Sequence, residues 1–309
     1  MSVKLQQHQA PHGADIDSSA LIATRFSARF LDVTKASRAL ANLAGAKRSY
    51  RRGRGVEFDE VRQYTAGDDV RAIDWRVTAR SGEPHTKLFH EERERPVLIA
   101  LDLRRTMRFG SRNCFKSVLA AHTASLLLWS ALDRGERVGG MVVSGNRAED
   151  IRPARSKHTV LAIIREMVRC DKNNSDIEPL DLAEQLKQIQ RIARPGSALF
   201  LISDFHDGLN SGVLQTLRRL VQHVQITGVM ISDPLERNLP AAGRYVVSDG
   251  SGRSALDTGN RKLVAQFSAE FDAHAQALRD AYQGLRIPLI SISTDQLPLT
   301  VLQRYFPPH

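Results

Sequence analysis

The sequence predicts an α/β protein built on a mostly parallel sheet with helices covering both faces. Three observations carry that expectation. The runs "VLIALDL", "SALFLISD" and "VQITGVMIS" are continuously apolar, as strands buried on both faces are. Between them lie longer segments whose apolar residues recur at helical spacing, so strands and helices alternate along the chain. Two of the strands run out on an acid, Asp102 and Asp204, at the carboxyl edge where such sheets bind ligands.

Each element follows in order. Residues 1–17 are polar, carry Pro11 and Gly13, and read as a disordered tail. Leu21, Ile22, Phe26, Phe30 and Leu31 then mark the apolar face of one amphipathic helix, with Asp17 and Ser18 as N-cap residues. Residues near 45–95 are rich in glycine and in charges of both signs, with isolated apolar points such as Val56, Phe58, Val61, Tyr64, Ile73 and Trp75. They predict a small module of short strands and turns, in which "HTKLFHEE" is one strand. Together with the helix this module spans 18–95, and the α/β domain spans 96–309. Within that domain Ser111 is expected to cap a helix that Gly135 ends. "RVGGMVVS" is a strand with "AEDIRPA" as its hairpin partner. Helices follow in "KHTVLAIIREMVRC", "PLDLAEQLKQIQRIA" and "GVLQTLRRLVQH", then a hairpin in "GRYVVSDGSGRSALDT", a long helix in "NRKLVAQFSAEFDAHAQALRDAYQGL" and a last strand in "IPLISIS".

Composition narrows the class. The hydrophobic fraction of 42% excludes disorder of the whole chain, and the formal net charge of +10 favours anionic partners without choosing among them. Cys114 and Cys170 form no C-x-x-C pair and predict buried thiols. The N-terminus lacks a signal-peptide core, and the most apolar helix, around "LAAHTASLLLWSAL", is shorter than a membrane span. A soluble cytoplasmic protein is expected.

The residues suited to chemistry cluster at the strand ends. Asp102 and Asp204, with the hydroxyls of Thr106 and of Ser175 in "KNNSDIEP", form an oxygen set of the kind that holds a hard cation such as Mg²⁺. Against this stands the bland role of each aspartate as a helix cap. No phosphate-binding G-x-x-x-x-G-K-[ST] loop, zinc spacing or G-x-S-x-G elbow is present.

The stretch "GRGVEFDEVRQYTAGDDVRAIDWRVTARSGEPHTKLFHEERERPVLIALDL" resembles the signature of a bacterial family known as domain of unknown function 58. Its signature positions here include Glu57, Phe58, Arg62, Tyr64, Gly67, Asp68, Asp69, Arg71, Asp74, Trp75, Arg80 and Glu91. The likeness continues through "FGS…K", "RVGGMVVS" and "LISDF" and covers roughly residues 40–300. It implies a von Willebrand A-like core, and a non-enzymatic adaptor or co-chaperone acting with a MoxR-type AAA+ ATPase and client proteins. Within the signature, interleaved arginines and aspartates predict a salt-bridged network, with Tyr64 and Trp75 as its anchors to the core.

Von Willebrand A domains hold a divalent cation through D-x-S-x-S, a threonine from another loop and a distal aspartate. By that resemblance Asp102 matches the first aspartate, Thr106 the second serine, Ser175 the threonine and Asp204 the distal aspartate. Arg104 stands where the first serine belongs. A guanidinium has only donors and cannot ligate a cation, so it is expected to take the cation's place between Asp102 and Asp204. If a metal does bind, Asp102, Thr106 and Asp204 would hold it; no cofactor is otherwise expected. Two alternatives come from other classes. The arm "KRSYRRGRG", residues 47–54 and its neighbours, has the charge to bind nucleic acid. Asp102 and Thr106 also fit the D-x-D-x-T of magnesium-dependent phosphatases, but the general acid of that motif is replaced by Arg104.

Overall fold

In the computed structural model, residues 10–35, 37–45, 61–65, 73–87, 95–145, 147–173, 181–248 and 252–308 are described. The chain divides into two units, residues 1–49 with 95–309, and residues 50–94. Helix α1, Ser18–Ala23, starts where the Asp17 carboxylate accepts from the Ser19 and Ala20 amides. Thr24 separates it from α2, Arg25–Ala28, and donates its hydroxyl back to the Leu21 carbonyl. The expected single helix is thus two short ones. A third, α3, spans Arg38–Leu43.

The unit of residues 50–94 contains β1 (Val61–Gln63), α4 (Trp75–Ser81) and β2 (His85–Lys87), with β1 and β2 antiparallel. The short strands were expected and the helix was not. Asp74 caps α4 by accepting from the Arg76 and Val77 amides, and Gly82 ends it in the left-handed region. Tyr64 is half-buried and Trp75 is 68% exposed. Glu57, Asp68, Asp69 and Arg71 lie outside the described residues, as does the arm 47–54; of Arg62 only the backbone pairing to Thr86 is described.

The α/β core continues with β3 (Val97–Asp102), α5 (Lys116–Asp133), β4 (Val138–Ser144), β5 (Arg147–Ala154), α6 (Lys157–Lys172), α7 (Leu182–Ile189), β6 (Ala198–Ser203), α8 (Ser211–Leu220), β7 (Gln225–Ser232), the single turn α9 (Pro234–Arg237), the hairpin β8–β9 (Arg244–Ser248 and Arg253–Asp257), α10 (Arg261–Gly284), β10 (Leu289–Ser293) and α11 (Pro298–Gln303). The sheet order is β10-β7-β6-β3-β4-β5; every pairing is parallel except the β4–β5 edge. This is the mostly parallel sheet that the unbroken apolar runs predicted, and β3 is buried throughout.

Helix α5 is buried from Lys116 to Ala131, so it has no solvent face. Its outer side is covered by the N-terminal helices: Leu21, Ala28, Leu31 and Leu40 join the same apolar cluster. The grouping of these helices with the following module is therefore corrected, because they pack on the α/β core. The tail is corrected in its second half. Gly13 exchanges backbone hydrogen bonds with the 113–115 segment, and Ile16 is buried with its amide on Asp171. Phe26 and Phe30, expected on the buried face, are exposed beneath the guanidiniums of Arg25 and Arg29. The α5 cap is corrected too: Phe115 occupies that position, and Ser111 bonds Asp233 instead. Among the described residues no helix is long and apolar enough to cross a membrane.

Strands β3 and β4 meet at Gly140, where an added Cβ would lie 2.2 Å from the Ile99 carbonyl oxygen. That neighbour is backbone in the middle of the sheet and cannot yield. Gly140→Ala is expected to destabilise the protein by about 3 kcal/mol or to prevent folding, as read by urea denaturation.

Candidate functional site

Because β3 and β6 are adjacent and parallel, with Leu101 opposite Ile202, their polar termini emerge side by side. Asp102 is 1% exposed. The Ser203 hydroxyl donates to its Oδ2 at 2.7 Å, and the Arg104 amide donates to its Oδ1 at 2.9 Å. A bare carboxylate this deep would be too costly to stay charged, so a cation has to accompany it.

The cation is Arg104. One edge of its guanidinium lies on Asp102, with Nε 3.0 Å from Oδ1 and Nη2 2.9 Å from Oδ2. The other edge lies on Asp207, with Nη1 and Nη2 each at 2.8 Å from a carboxylate oxygen. These are paired, fork-on-fork contacts, the strongest form of such hydrogen bonds. Asp207 Oδ2 also accepts from the amide of Leu182, the first residue of α7. Burial alone would lower the Arg104 pKa, but the hydrogen bonds to Asp207 and the charge of Asp102 outweigh it and hold the guanidinium charged. Burial likewise favours a neutral Asp207, yet its hydrogen bonds and charge contact with Arg104 pull its pKa below the ordinary carboxylate value.

A second internal cation stands beside the first. Lys116, at the start of α5, is 2% exposed, and its Nζ lies 3.0 Å from Asp204 and 2.5 Å from Glu236. Desolvation opposes the charge on Asp204, and the Lys116 ammonium overcomes it, so that the Asp204 pKa falls; the Thr106 hydroxyl contributes a further hydrogen bond. Asp233, at the end of β7, accepts from Ser111 and from the Thr294 hydroxyl that follows β10. Four strand ends are thereby joined in one polar belt.

The expectation that Arg104 stands between two aspartates describes this geometry, but the second partner is corrected. It is Asp207, while Asp204 belongs to Lys116. Thr106 is exposed on the short turn Arg105–Met107, and Ser175 lies outside the described residues. Asp207, Lys116, Ser203, Asp233 and Glu236 were not singled out for these roles. A lysine opening an otherwise apolar helix was the readable sign of Lys116, since an unpaired ammonium is not left inside a core. For a divalent cation the donor set does not fit: Asp102 is held by the Arg104 guanidinium, which has only N–H donors, and Asp204 by the Lys116 ammonium. Among the described residues no group of three or more His, Cys, Asp or Glu is placed to hold a metal ion. Asp102, the nucleophile in a phosphatase reading, has both oxygens engaged.

A family model described as "Protein of unknown function DUF58" matches residues 60–277. The chain is 28% identical over 299 residues to the Uncharacterized protein Rv1480 of Mycobacterium tuberculosis, covering 94% of this chain and 90% of that one. The Uncharacterized protein Mb1516 of Mycobacterium bovis matches to the same extent. Among solved structures it is similar to the conserved hypothetical protein BatB from Bacteroides thetaiotaomicron, at 14% identity over 62% of this chain and 98% of that one, with a TM-score of 0.39. It is also similar to the SpRpn10 VWA domain, at 11% identity over 68% of this chain and 94% of that one, with a TM-score of 0.41.

Two outcomes follow from the buried charges. Arg104→Met keeps the stem but leaves Asp102 and Asp207 without their cation, and is expected to cost about 3–5 kcal/mol in urea unfolding. The pH dependence has a definite sign. Because the folded Asp207 pKa lies below the ordinary 3.8, its pairing stabilises the fold above that value and is lost as pH falls through the lower folded pKa. The stability gap between wild type and Asp207→Asn should therefore be constant near neutrality and shrink below about pH 4 in denaturation series.

Proposed function

The chain belongs to the DUF58 family, and from that membership together with its belt of internally paired charges we propose that it is a non-enzymatic protein-interaction module that works without a metal ion. The observation that carries the reading is the Arg104 guanidinium lying between Asp102 and Asp207 at the carboxyl edge of the sheet, the edge at which open α/β sheets bind their ligands. In a cation-dependent adhesion site, a metal held by aspartate and hydroxyl oxygens accepts a carboxylate from the partner protein. Here Arg104 supplies the positive charge in place of the metal. Its planar fork is matched to the same ligand, the side-chain carboxylate of an aspartate or glutamate.

The partner we propose is a MoxR-type AAA+ ATPase, with this chain as adaptor or co-chaperone for client proteins. The support is the sequence resemblance, whose signature and core strands lie in one chain. The buried state of Asp102 and its engaged oxygens favour recognition over catalysis.

Two measurements test this. Titration calorimetry with Mg²⁺ and Mn²⁺ is expected to show no saturable binding to the wild type; saturable binding that Asp102→Ala abolishes would overturn the metal-free reading. Affinity capture from the native cell, with and without ATP, is expected to recover an AAA+ ATPase in a magnesium-independent contact with this chain. Recovery of no such ATPase removes the support for that partner.

A further inference from the structure

We propose that Asp207 is an internal ligand: its carboxylate fills the outer fork of Arg104, and an aspartate or glutamate side chain of a partner protein binds there by displacing it. This rests on the interaction reading above and adds how the site is kept closed.

The two carboxylates on Arg104 are not equivalent. The Asp102 side chain is wholly shielded and is held from three directions, by the Arg104 amide, the Arg104 guanidinium and Ser203. The Asp207 side chain is 16% exposed and belongs to the loop after β6. An acid arriving from solvent meets Asp207 first, and the contact it would need, two parallel N–H donors at 2.8 Å, is the one Asp207 already makes. With its side chain 8% exposed, Arg104 takes a second carboxylate only by exchange.

The loop that carries Asp207 has the features of an element with two positions. Phe205 is fully buried with φ 54°, a left-handed conformation that is unfavourable for a bulky residue. Its ring stands edge-on to Tyr282 of α10, with centroids 5.3 Å apart. The Tyr282 hydroxyl is buried with no hydrogen-bond partner among the described residues, an unfavourable state for a polar group. Burial raises the Tyr282 pKa first, and the charge of Asp207 raises it further. The exchange also withdraws an acceptor from the Leu182 amide, so it is felt at the start of α7.

The test uses the full chain and the tripeptide acetyl-Leu-Asp-Leu-amide, with acetyl-Leu-Asn-Leu-amide as the uncharged control. Binding is followed by the NMR signal of the Arg104 Nε–H. If Asp207 holds the fork about nine-tenths of the time, Asp207→Asn should bind the aspartyl peptide about tenfold more tightly than wild type. Arg104→Gln should abolish binding, and the control peptide should not bind. Asp207→Ser serves as the second variant should Asp207→Asn fold poorly. Equal or weaker peptide binding by folded Asp207 variants overturns the proposal. A gain in these variants alongside failure to capture any AAA+ ATPase would remove that partner and leave the exchange standing.

Discussion

An arginine buried to 7% exposure needs anions on both edges of its guanidinium, and Arg104 obtains them from two parts of the chain that are distant in sequence. One is Asp102, two residues before it at the end of β3. The other is Asp207, 103 positions later. Much of the local architecture depends on that contact. It holds the turn after β3, it fixes the loop after β6, and through the Leu182 amide it joins both to the start of α7. Neither charge would be stable at this depth without the other, because desolvation of a lone ion outweighs any packing gain.

The neighbouring Lys116 repeats the solution with different geometry. An ammonium is a point charge, and it bridges Asp204 and Glu236 without the two-edged fit of a guanidinium. Asp233 completes the belt with hydroxyl and amide donors. The carboxyl edge of the sheet is thus rich in acid, as cation sites are, while every strand-end carboxylate described has a donor from the chain itself. The cations at this edge are supplied by the chain itself, as Arg104 and Lys116. Control passes to whatever competes for the arginine, and Asp207 is the group best placed to be competed away.

Much of this was legible along the chain. The unbroken apolar runs identified β3, β6 and β7, because a strand buried on both faces admits no polar alternation. Asp102 could be recognised as a strand end, and Arg104 as a cation in the position of a ligand. Other residues were misread for identifiable reasons. Phe26 and Phe30 obey helical spacing, but the helix breaks at Thr24 and turns them outward under Arg25 and Arg29. Ile16 looked like part of a polar tail, since nothing in its neighbours reveals that Asp171 and the cover of α5 await it.

The sequence by itself determined the alternation of elements and the acids at the strand ends. These are local properties, written in periodicity and residue type. Tertiary structure alone decided which acid meets which cation. Asp204 and Asp207 stand three residues apart and are equally acidic, yet the path of the loop through the left-handed Phe205 sends one to Lys116 and the other to Arg104. That choice rests on contacts between residues roughly a hundred positions apart, brought together by the parallel register of β3 and β6, and no local pattern encodes it.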